Sequence, residues 1–77
     1  MVVSLKTVIR IMNEIEKMEN LDGDSLEYAT DIEQENRYII RAYDPNTNRT
    51  LYVYISKPKN RYTYEYKFVD GENFNQY

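Results

Sequence analysis

The sequence predicts an α+β domain in which one N-terminal helix packs on an antiparallel β-sheet. Three observations lead there. Apolar residues near the start recur every three or four positions, as along one face of a helix. In the second half they alternate with polar ones, as along half-buried strands. Seventy-seven residues make one domain, 1–77, and the two patterns are segregated along the chain rather than interleaved.

The helix is expected over residues 4–20. Ser4 is placed to cap it, since a hydroxyl there can accept a hydrogen bond from an orphan amide of the first turn. Thr7 stands where a full capping box has Glu or Gln. Leu5, Val8, Ile11, Met12, Ile15 and Met18 form the apolar stripe, and Asn20, Asp22 and Gly23 end it.

Three strands follow from the alternation. Tyr38 to Tyr43 is the first, with a turn at Asp44-Pro45-Asn46-Thr47-Asn48, where Pro45 suits the first central position of a type I turn. Thr50 to Ser56 is the second, Lys57-Pro58-Lys59-Asn60 the next turn, and Arg61 to Val69 the third. Pairing Asp44 with Arg49 sets Ala42, Ile40 and Tyr38 opposite Leu51, Val53 and Ile55. Pairing Ser56 with Arg61 sets Tyr66, Tyr64 and Tyr62 opposite the same three residues. Both hairpins then share one core face, which a one-residue slip would destroy. The helix is expected to cover that face. The other carries Ile39, Arg41, Tyr43, Tyr52, Tyr54, Thr63 and Glu65, a mixed surface. Residues 21–36 stay open: an additional edge strand with Leu26, Tyr28 and Ile32 partly inward, or a short helix capped by Asp24 or Ser25.

Composition narrows function. The chain has no cysteine and no histidine, so disulfides, thiolate chemistry, the usual zinc ligands and the commonest general base are excluded together. A reducing cytoplasm fits, and charges at Lys6, Arg10, Glu14 and Glu16 leave no signal peptide or membrane span to be read at the start. Acid pairs such as Asp22 with Asp24, or Asp31 with Glu33, need a cleft for catalysis, and one helix on a small sheet offers none. Asp22-x-Asp24 opens like a calcium loop, but no such pattern continues from it. With two glycines in all, a phosphate-binding loop is excluded. No enzyme and no cofactor is expected.

Charge is the stronger signal. From Glu14 to Asn36 there are nine acids and one base, a net of −8, whereas residues 37–77 carry a net of +3, inside a total of −3. Carboxylates spaced along a short rigid segment can imitate DNA phosphates and enter another protein's DNA cleft. Lys57, Lys59 and Arg61 with nearby tyrosines also fit a sheet that stacks single-stranded bases, although the acidic run repels a polyanion.

The stretch Ala42-Tyr43-Asp44, a polar turn with Thr47, then Ser56, Pro58, a third strand and Asp70-Gly71-Glu72-Asn73 resembles the C-terminal half of the phage uracil-DNA glycosylase inhibitors. Asp24-Ser25-Leu26 is similar to the Glu-Ser-Ile element of that family, and Glu27, Asp31, Glu33 and Glu35 are similar to its acidic helix. The resemblance implies a DNA mimic that fills the glycosylase's DNA groove in a tight one-to-one complex, in the cytoplasm of a host bacterial cell. It implies Asp24 at a phosphate position, Ser25 in hydrogen-bonding reach, and partner contacts from Leu26, Glu27, Asp31 and Glu33. It also implies an apolar pocket between helix and sheet, with Leu26, Ile40, Leu51, Val53 and Val69 as its candidate lining. The sequence departs from the family in a shorter segment before the central strand, in Lys57 where the family has an acid, and in a tyrosine-rich third strand.

The expected partner is therefore a protein, uracil-DNA glycosylase, with no direct nucleic-acid binding and no membrane. Rival readings are an inhibitor of another DNA-binding defence protein of the anti-CRISPR type, a small nucleic-acid-binding or regulatory module using the tyrosine face, and a structural interaction subunit.

Overall fold

The computed structural model describes residues 3–76, so residues 1, 2 and 77 of the expected 1–77 domain lie outside the described residues. One helix, α1 (Leu5–Glu19), lies on a sheet of five antiparallel strands: β1 (Glu27–Tyr28), β2 (Ile32–Glu33), β3 (Tyr38–Asp44), β4 (Arg49–Ser56) and β5 (Thr63–Asp70). β1 and β2 both pair with β3, which is followed in the sheet by β4 and β5.

α1 begins as its sequence dictates. The Ser4 hydroxyl accepts from the Thr7 amide at 3.3 Å. Asn20 ends the helix in a left-handed conformation (φ 55°), which asparagine tolerates, and the Leu21 N–H closes back on the Glu16 carbonyl at 2.8 Å. Ile11, Met12 and Ile15 are buried against Ile40, Ala42, Leu51, Val53 and Ile55, with Leu26 completing the cluster. The stripe's two ends do not reach this core: Leu5 is 73% exposed and Met18 58%.

The register of β3 on β4 is the expected one, from Asp44↔Arg49 to Tyr38↔Ile55. Asp44 is almost wholly buried and satisfied by its own turn, accepting from the Asn46 amide and the Thr47 hydroxyl. The second hairpin is a correction. Ser56 pairs with Thr63 instead of Arg61, so Leu51, Val53 and Ile55 face Phe68, Tyr66 and Tyr64. The connection takes six residues, 57–62, with Asn60 left-handed at φ 57°, rather than a four-residue turn. A shift of two preserves the face, and the shared core therefore survives it.

Residues 21–36 supply the additional edge strand, in two pieces, entered through a 3-10 turn at Gly23–Ser25. Three residues lie between Tyr28 and Ile32, while two lie between their partners Ala42 and Ile39. That extra residue is a bulge, and it turns Ile32 to the face opposite Leu26 and Tyr28. Leu26 is buried and Tyr28 shares its face at 52% exposure, whereas Ile32 is half-buried on the other face, contrary to the common, partly inward side expected for the three.

The second face of the sheet differs from the mixed, wettable surface expected. Residues 71–76 fold back across it. The Thr50 hydroxyl donates to the Gly71 carbonyl at 2.6 Å, the Tyr52 hydroxyl to the Asn73 carbonyl at 2.7 Å, and the Gln76 amide donates to the Tyr52 oxygen at 3.0 Å. Ile39, Thr50 and Tyr52 are fully buried as a result. Among the described residues no helix is long and apolar enough to cross a membrane.

Candidate functional site

The acidic run becomes one edge of the sheet. Asp22 caps the 3-10 turn: one carboxylate oxygen accepts from the Asp24 amide at 3.1 Å, the other from the Ser25 hydroxyl at 2.8 Å. An aspartate suits this place because its short side chain reaches amides two residues on. The turn leaves Asp24 exposed, ties the Ser25 hydroxyl to Asp22 and sends Leu26 into the core. Glu27, Asp31, Glu33 and Glu35 follow along the edge, all exposed.

Their spacing follows from pairing. Glu27 lies opposite Tyr43 and Glu33 opposite Tyr38, five residues apart on β3. At strand rise that is roughly 17 Å, a length that spans about five steps of one DNA strand at about 3.4 Å each. The bulge splays the acids, with Glu27 on the face of Tyr43 and Glu33 on the face of Tyr38.

Arg41 holds this edge to the rest. Buried at 8% exposure, it donates from one guanidinium nitrogen to the Thr30 carbonyl and from another to the Phe74 carbonyl, each at 2.7 Å. The bulge and the C-terminal tail are thus tied through one side chain. The Ala29 amide adds a bond to the Arg41 carbonyl at 3.0 Å.

Local electrostatics follow the crowding of acids. Partial burial, with Asp24 and Asp22 nearby, pushes the Glu16 carboxyl up from its ordinary value. The Tyr38 hydroxyl donates to Asp31 at 2.6 Å, and that bond, with some burial, pushes the phenol up to about 12. Burial first, then Glu16 and Asp31, raise Tyr28 as well. Two further carboxylates are held by β5: Tyr64 donates to Glu14 at 2.9 Å and Tyr66 to Glu19 at 2.7 Å. These bonds raise both phenols, with burial the larger cause for Tyr64 and the hydrogen bond the larger for Tyr66. The sequence carried their signal, tyrosines alternating on the face that the helix covers.

Several bases lie over rings. Arg37 lies 4.8 Å from the Tyr54 ring centroid, Arg49 3.9 Å from that of Phe68, and Lys57 4.9 Å from that of Tyr62. Lys67 approaches Tyr54 from 5.9 Å. Tyr52 is buried and Tyr54 is flanked by Arg37 and Lys67, so the sheet does not present an open tyrosine platform for bases.

The expected site residues therefore separate. Asp24, Ser25, Glu27, Asp31 and Glu33 share the edge, with Leu26 anchoring it. Ile40, Leu51 and Val53 are at most 1% exposed and interlock with Ile11, Met12 and Ile15, so they line a packed core where an open pocket was expected. Val69 pairs with Thr50 and lies on the second face, away from the other four pocket candidates. Among the described residues no group of three or more acids is arranged to hold a metal ion. Comparisons with protein-family models, with curated proteins and with solved structures returned no match.

Proposed function

We propose that this chain is a DNA-mimicking protein inhibitor whose acidic edge enters the DNA-binding cleft of another protein, with uracil-DNA glycosylase as the first target to test. The reading rests on one observation. Asp24, Glu27, Asp31, Glu33 and Glu35 stand exposed along a single sheet edge, while Arg37, Arg49, Lys57 and Lys67 lie over aromatic rings. Such an edge meets the lysines and arginines that a DNA-binding protein offers to phosphates, and its field speeds the encounter. Arg41 and the Asp22-capped turn support the reading by holding the carboxylates on backbone that is already ordered, which lowers the entropy lost on binding.

The mechanism differs in one respect from what the family resemblance implies. With Ile40, Leu51 and Val53 closed into the core, no apolar side chain of the target is taken up there. Binding falls on the edge alone.

The test is uracil excision from DNA by a bacterial glycosylase with this protein added. Near-equimolar protein should abolish excision, and the protein alone should not shift DNA in a gel. Undiminished excision under a large molar excess would remove the glycosylase as target. The same titration against a DNA-cleaving defence nuclease then distinguishes the alternative target from a failure of mimicry altogether.

A further inference from the structure

The two edges of the sheet are built differently. On the acidic side β1 and β2 are two residues each, interrupted by a bulge, which is how natural sheets blunt an edge. On the far side β5 runs for eight residues with no proline, glycine or bulge. It is the last strand of the sheet.

The polarity of its open side follows from one bond. The Gly71 amide donates to the Asn48 carbonyl at 2.8 Å, one step beyond the Arg49↔Asp70 pair. Hydrogen-bonded and non-hydrogen-bonded pairs alternate along an antiparallel ladder. Thr63, Glu65, Lys67 and Val69 therefore direct their amides and carbonyls at β4. Tyr64, Tyr66, Phe68 and Asp70 turn theirs outward. The Ala29 to Arg41 bond at the other edge obeys the same alternation carried through β4 and β3.

We propose that β5 pairs with β5 of a second copy of this chain, antiparallel about a two-fold axis at Tyr66. Outward-facing residues have to meet outward-facing residues, so the axis must fall on a residue. Centred on Glu65 or on Lys67 it would set like charges directly opposite, which is unfavourable. Centred on Tyr66 it sets Glu65 opposite the second copy's Lys67, and does so twice. These are the non-hydrogen-bonded pairs, whose Cα atoms approach to about 4.5 Å. On the helix face Tyr64 then meets Phe68, and Tyr66 meets its own counterpart, the aromatic cross-strand pairs that stabilise sheets. Axes further out shorten the paired stretch. Both helices end up on the same face of one continuous sheet.

Exposure adds to charge complementarity. Met18 lies one turn beyond Glu14, the residue that takes the Tyr64 hydroxyl, on the flank of α1 above β5. The second copy covers this exposed methionine. The interface is self-complementary and closed, so it yields a dimer and not a fibre. It is independent of the proposed inhibition, because the acidic edge lies three strand spacings away, about 14 Å.

Sedimentation velocity over a rising concentration series tests this. The protein should pass from monomer to dimer. Glu65→Lys and Lys67→Glu should each weaken dimerisation by about tenfold, and the double exchange should restore it, since the opposed charges are then reversed but still paired. Circular dichroism spectra of the variants should match the wild type, and so should melting curves at concentrations where the wild type is monomeric, because both side chains are exposed. A monomer at every concentration would overturn the proposal. So would a dimer that tolerates both single reversals, or a double exchange that fails to recover pairing.

Discussion

Aspartate 31 shows how single side chains shape the acidic edge. Its carboxylate accepts the Tyr38 hydroxyl at 2.6 Å, and the phenol is pushed up to about 12, chiefly by that bond. The neutral phenol is the form that donates. A tyrosine whose folded value is raised contributes stability that is fully present below the unfolded value, about 10, and is lost as pH rises through about 12. In an absorbance titration of tyrosinate, Tyr38→Phe should remove the component that rises at about 12. Asp31→Asn should move that component down toward the ordinary range and lower Tyr28 by less, since Asp31 is only the last, after burial and Glu16, of the causes that raise it. A titration in which Asp31→Asn changes nothing would show that the bond does not persist in solution.

Between elements, long alternating strands were legible and short ones were not. The β3–β4 register could be read because Asp44, Pro45 and Asn48 define the turn and three apolar pairs fix the phase. The β4–β5 register could be read only to parity. Alternation is blind to a slip of two, and the left-handed Asn60 that lengthens the loop has no apolar signature. β1 and β2, at two residues each, are too short to show a period, and the bulge between them reverses the inward side. The tail was invisible for another reason: Gly71, Asn73 and Phe74 join the sheet through backbone carbonyls, which any residue carries. Arg41 gives these elements a common test. Arg41→Met keeps the bulk but leaves the Thr30 and Phe74 carbonyls without charged donors. The loss should be about 3 kcal/mol, or roughly 10–20 °C of melting temperature. Amide exchange should quicken at Ala29 and Gln76 before it does in β4. A variant melting with the wild type would show that edge and tail are held by other contacts.

At the scale of the molecule, a net charge of −3 conceals an acidic edge, Asp24, Glu27, Asp31, Glu33 and Glu35, and a basic hairpin tip, Lys57, Lys59 and Arg61, which meet where Glu35 and Lys57 line one cavity. The sequence located the acidic pole, because charge runs need no register to be seen. It could not separate pocket from core, since an apolar alternation reads the same whether the space above it is empty or filled by Ile11, Met12 and Ile15. What remains is whether the pole acts as a diffuse field or as a set of placed groups. In a diffuse field each carboxylate counts about equally, mostly through the association rate, and salt weakens binding smoothly. Placed groups make desolvated, charge-assisted hydrogen bonds that their neighbours lack. Asp24 and Glu27 lie within two residues of the anchored Leu26, while Glu72 is an exposed acid of the tail. Glu14 is unsuitable as a control, since its carboxylate accepts Tyr64 and pairs with Arg10. Against the target found by the excision assay, Asp24→Ala and Glu27→Ala should each cost about 2–5 kcal/mol, chiefly as faster dissociation, and Glu72→Ala should leave the dissociation rate unchanged. Equal effects from all three would reduce the edge to a field, and the specific placement of Asp24 would fall with it.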